Sequence, residues 1–81
     1  MVTKNTYKID IENELESIEK DINDAEEAGL KQITLDYFAG AENEREFILA
    51  ARKFVKELGW SAVHEYDGEN GELLLIIRKT I

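Results

Sequence analysis

The chain contains no cysteine and no proline. Without cysteine, a disulfide-stapled scaffold and a thiolate-ligated zinc are both excluded. Without proline, no helix or strand is broken by a missing backbone N–H. There is one histidine and one tryptophan among 81 residues, so a site built on paired histidines is excluded too. Basic residues are also scarce, ten against eighteen acids, for a formal net charge of −8. Such a surface does not attract nucleic acid or anionic membrane directly, since both demand a basic face. It suits a basic protein partner, and at minimum it keeps the chain in solution. No apolar run approaches the roughly 20 residues a membrane helix needs. The first ten residues also lack the apolar core of a signal peptide, so a cytoplasmic setting is expected.

What is present is an apolar run at residues 73–77, Leu-Leu-Leu-Ile-Ile, bounded by Glu72 and Arg78-Lys79. Five consecutive large aliphatic side chains must be covered on two sides, so the other elements are expected to organise around them. With 43% hydrophobic and 35% charged residues, the chain has the balance of one folded domain over residues 1–81.

Residues 6–11 alternate apolar and polar, which suits a short edge strand or an extended lead-in with Tyr7 and Ile9 beside the next helix. The lead-in is preferred. From Asp10 the period becomes helical. Ile11, Leu15, Ile18, Ile22 and Ala25 form one stripe, which predicts a helix over 11–28 with Asp10 as its N-cap and Gly29 as its left-handed stop. Residues 31–38 alternate Ile33, Leu35 and Tyr37 against polar neighbours, as a half-buried strand does. A second helix is expected over 42–58, with acids in its first turn, lysines in its last and Gly59 after it. Trp60 is expected to fold back on that helix end. Residues 60–66 read as a strand with Trp60, Ala62, His64 and Tyr66 on one face and Val63 on the other. A hairpin turn at 67–71 leads to the last strand at 72–79.

This order, αβαββ, predicts an α+β fold with two helices on one face of a three-stranded mixed or antiparallel sheet. Only residues 73–77 are apolar on both faces, so the last strand is placed in the centre, antiparallel to both neighbours. A meander with residues 60–66 central is the alternative.

No catalytic spacing accompanies His64: Ser61 lies three residues away on the opposite face. The segment 67–72, DGENGE, carries oxygen ligands without the spacing of a calcium loop. No cofactor, metal site or catalytic residue is therefore assigned. The best functional candidate is the first helix. Between Lys8 and Gly29 nine acids face two lysines, and Glu12, Glu16, Glu19, Asp24, Glu26 and Glu27 are the residues expected to meet a partner. The expected function is that of a small acidic adaptor or inhibitor docked on a basic protein, in its sharpest form by imitating DNA phosphates. A homodimeric assembly protein using an apolar sheet face of Phe38, Val63, Leu74 and Ile76 is the second expectation. A small enzyme or ligand-binding domain around Trp60, His64 and Tyr66 is the third.

Overall fold

The structure, a computed structural model, describes residues 7–80. Thr6, where the proposed edge strand would begin, lies outside them. The described part of that segment, Tyr7 to Asp10, is a lead-in without regular secondary structure or strand pairing. The elements follow as α1 (Ile11–Ala28), β1 (Gln32–Phe38), α2 (Glu44–Glu57), β2 (Trp60–Asp67) and β3 (Glu72–Lys79). The sheet order is β1-β3-β2, and β3 is antiparallel to both neighbours. The apolar run therefore occupies the central strand, and the meander is excluded.

Register assigns every side chain to a face, because residues directly opposite each other share one. Ile33 faces Ile77 and Leu35 faces Leu75 across one pair; Ala62 faces Ile77 across the other. These join Ile18, Ile22 and Ala25 of α1 and Phe47, Ala51 and Val55 of α2 in one hydrophobic cluster. Leu73, Leu75 and Ile77 have no exposed surface. Burying each contributes about 1.5–3 kcal/mol, so the alternate residues of β3 supply much of the core. Trp60 shares its cluster with Val55, Phe54 and Leu58 from the end of α2. It begins β2 and lies buried in the same cluster, because strand pairing with Lys79 carries its ring onto the core face.

The local signals act as the residue types require. Asp10 Oδ1 accepts from the Asn13 backbone amide at 3.3 Å. Gly29 adopts φ 75°, the left-handed conformation that costs a Cβ-bearing residue energy. The second helix begins two residues later than its composition suggests. Asn43, at its N-cap position, makes no capping bond. Its side-chain amide is engaged elsewhere: Oδ1 accepts from Ile9 N and Nδ2 donates to Ile9 O, both at 2.8 Å. Asn43 thus pairs with the lead-in as a neighbouring strand would, and Ile9 is held in the core. Asn43→Ala leaves a part-buried donor and acceptor unpaired, for an expected loss of roughly 1–3 kcal/mol, measurable as a lower urea midpoint.

Candidate functional site

The six acidic residues singled out on α1, Glu12, Glu16, Glu19, Asp24, Glu26 and Glu27, are all exposed. Amphipathic periodicity explains why: with Ile18, Ile22 and Ala25 buried, positions away from that stripe face water. Among the described residues, the one ion pair made by α1 joins Glu26 to Lys79 Nζ at 3.4 Å. At 18 residues the helix presents its carboxylates along about 27 Å. Its last turn holds no basic residue, so Asp24, Glu26 and Glu27 oppose the helix dipole by a few tenths of a kcal/mol each.

Glu14 and Asp21 are half-buried and act on Tyr37. Burial first, then these two carboxylates, push the Tyr37 phenol far above its ordinary value of 10.0. Its ring stands edge-on to Phe47, with centroids 4.9 Å apart. Two further phenols are raised. For Tyr66 the largest cause is the hydrogen bond it donates to Glu44 Oε2 at 2.8 Å; for Tyr7 it is desolvation. A phenol whose pKa rises on folding stays neutral in the fold while the unfolded chain ionises. Its stabilising contribution is complete below pH 10 and disappears as pH rises through the folded value. Chemical-denaturation midpoints are therefore expected to fall above pH 10, and Tyr37→Phe to make that fall shallower.

The second face of the sheet is open. Register aligns Thr34, Ile76 and Val63 in one row, Asp36, Leu74 and Glu65 in the next, and Phe38, Glu72 and Asp67 in a third. Phe38, Val63, Leu74 and Ile76 thus share a face. Phe38 is 77% and Val63 50% exposed, whereas Leu74 and Ile76 are half-buried between them. Flanking this apolar strip are Asp36, Glu65, Asp67 and Glu72, with Arg78 the one basic residue in the β1, β2 and β3 ladders on that side.

The cluster of Trp60, His64 and Tyr66 is divided by depth. All three share the core-side face of β2, but Trp60 is buried while His64 and Tyr66 are exposed. Their rings meet edge-on at 5.6 Å. A groove of ≈ 370 Å³ bordered by Glu44, Arg45 and Leu49 lies beside them. In the hairpin, Asp67 accepts from the backbone amides of Glu69 and Asn70 and from Asn70 Nδ2. The Asn70 side chain is the main reason that its carboxyl titrates below the ordinary range. Turn chemistry accounts for these oxygens.

Glu44 was not visible as a special residue in the sequence. Its Oε1 accepts from Gly40 N at 2.9 Å and its Oε2 from Tyr66, so one carboxylate ties the β1–α2 loop to β2. No local pattern announces a pairing across 22 residues. Also unforeseen is a groove of ≈ 440 Å³ beside β1, bordered by Tyr7, Asp10, Glu14, Asp36, Tyr37 and Glu72 among others. Among the described residues no helix is long and apolar enough to cross a membrane. In comparisons with known proteins, no family model, curated protein or solved structure matches this chain.

Proposed function

We propose that this protein is a small acidic binding module, an adaptor or inhibitor, that docks α1 on a basic protein partner. The observation that carries this reading is the exposure of Glu12, Glu16, Glu19, Asp24, Glu26 and Glu27 with one ion pair, to Lys79, among the described residues. Carboxylates without a cation of their own chain beside them are available to pair with a basic groove. In the sharpest form of the proposal that groove belongs to a nucleic-acid-binding protein, and the carboxylates occupy the phosphate positions. No direct contact of this chain with nucleic acid or membrane is included, because its net charge repels both. The module works by binding rather than by catalysis and operates in the cytoplasm.

The second reading is a homodimer through Phe38, Val63, Leu74 and Ile76. Their shared, exposed face favours it. The charges around that face oppose it, since two stacked copies would bring Asp36, Glu65, Asp67 and Glu72 against their own equivalents with one Arg78 each. The same ring of acids suits a basic partner. Light scattering at low salt is expected to return the 9.3 kDa monomer; twice that mass, abolished by Ile76→Glu, establishes the dimer instead. Capture of a basic protein is expected to be lost as salt rises from about 0.1 M toward 1 M, where the screening length falls from ~10 Å to ~3 Å. Capture that survives that range sinks the acidic-helix reading.

A further inference from the structure

β1 is an edge strand of 7 residues with no partner on its outer side among the described residues. Two bonds at the ends of the β1–β3 ladder fix which backbone groups face outward. Lys79 N donates to Lys31 O at 2.8 Å and Ala39 N donates to Gly71 O at 2.9 Å. In an antiparallel pair, hydrogen-bonded positions alternate, so the odd residues from 31 to 39 bond to β3. The N–H and C=O groups of Gln32, Thr34, Asp36 and Phe38 therefore point away from the sheet. The Phe38 carbonyl confirms the parity, because it accepts a hydrogen bond from the Tyr7 hydroxyl at this outer edge. Gln32, Thr34 and Asp36 form a row of backbone donors and acceptors without a strand partner among the described residues.

The side chains above this edge are incompletely covered. On β3, Leu73, Leu75 and Ile77 are fully buried, but their β1 neighbours Ile33, Leu35 and Tyr37 are only half-buried. Ile11 and Leu15 of α1 are half-buried as well. The seam between α1 and β1 is thus an apolar strip lying where a fourth strand would put alternate side chains. Charge borders the seam. The groove at its Phe38 end is flanked by the carboxylates of Asp10, Glu14, Asp36 and Glu72 with Lys8 as the one cation. Edge strands are ordinarily blunted by lysine, proline or a bulge; β1 carries none of these between Gln32 and Phe38, and Lys31 stands at the far end of the ladder from the acidic groove.

We infer that the outer edge of β1 receives an extended, cationic segment of a partner protein as a fourth strand. Its backbone pairs with Gln32, Thr34 and Asp36. Its apolar side chains close the seam beneath α1, and its lysines or arginines alternate onto the open face beside Asp36. This is strand addition, in which main-chain bonds supply affinity and alternate side chains supply selectivity. A second copy of this chain fits less well. Two β1 strands paired about a two-fold axis would bring together two acidic flanks, each with Glu14 and Asp21. Head-to-tail addition of β2 to β1 would accumulate −8 of charge per added copy. Helical periodicity puts Glu12, Glu19 and Glu26 on the flank of α1 opposite Glu14 and Asp21, the two that act on Tyr37 of β1, so this inference does not depend on the docking of α1.

The test uses the full chain, isotopically labelled, and a capped heptapeptide of alternating lysine and valine. Amide hydrogen exchange is expected to show new protection at Gln32, Thr34 and Asp36 and none at Ala62, His64 or Tyr66 on the opposite edge. N-methylation of the peptide's edge-facing amides is expected to weaken binding about tenfold or more, as loss of several main-chain bonds requires. Thr34→Pro removes one outward N–H without touching the β1–β3 ladder, where edge proline is tolerated, and is expected to weaken binding similarly. The combined Glu12→Lys, Glu19→Lys and Glu26→Lys variant is expected to retain the protection. Binding without new protection at β1, equal binding of a glutamate–valine peptide, or loss of the protection in that triple variant overturns the inference. So does protection of Gln32, Thr34 and Asp36 in the free protein, whether constant or rising with its concentration, because the edge is then already occupied.

Discussion

Leu75→Ala is expected to destabilise the protein by about 3–4 kcal/mol, whereas Leu74→Ala, one residue away, is expected to cost about 1 kcal/mol or less. Leu75 has no exposed surface and belongs to the central cluster. Truncating it loses the transfer free energy of three carbons and leaves a cavity that a close-packed core refills only in part. Leu74 is half-exposed on the other face, level with Asp36 and Glu65, so water replaces what truncation removes. A small domain has about 5–15 kcal/mol of stability in total, so the first change consumes a large share and the second does not. Urea unfolding midpoints of the two variants measure the difference. Equal losses would mean that the faces of β3 are not assigned as the register places them.

Reversing Glu12, Glu19 and Glu26 to lysine together is expected to weaken capture of the basic partner by at least 100-fold while the fold survives. Each reversal turns an attraction into a repulsion, and close charge pairs across an interface couple by about 1.5 kcal/mol or more. Three such pairs exceed the roughly 2.7 kcal/mol that a 100-fold change represents. Stability is expected to move little. Glu12 and Glu19 are exposed without ion-pair partners among the described residues, and surface substitutions of that kind usually fall within about ±0.5 kcal/mol. Glu26→Lys loses the Lys79 pair but places a cation at the helix C-terminus, where the dipole favours it. An unchanged denaturation midpoint beside lost capture separates a binding defect from an unfolded chain.

The fold was legible wherever one side-chain period ran unbroken. The stripe from Ile11 to Ala25 and the alternation from Ile33 to Tyr37 gave both elements to within a residue. The two-faced run at 73–77 gave the central position of β3, because only a strand with neighbours on both sides can bury alternate residues completely and half-cover the others. What remained hidden depends on distant pairs. Asn43 looks like part of a helix start, yet it binds Ile9 across 34 positions. The parity of β2 correctly put His64 beside Trp60 on one face, but not their different depths. The exposure of the α1 carboxylates followed from helical periodicity. The edge position of β1 followed from placing the last strand in the centre, but its flanking groove did not, since the lead-in that borders it is held by contacts distant in sequence.

The most direct test of a basic-partner module is quantitative capture from the native cell extract, read by mass spectrometry, with the parent chain and the Glu12→Lys, Glu19→Lys, Glu26→Lys variant compared across a salt series. The expected result is a basic protein enriched by the parent chain at low salt, released as salt rises, and missing from the variant at every salt concentration. A partner that is acidic or neutral, or one that the variant retains equally at high salt, contradicts the account.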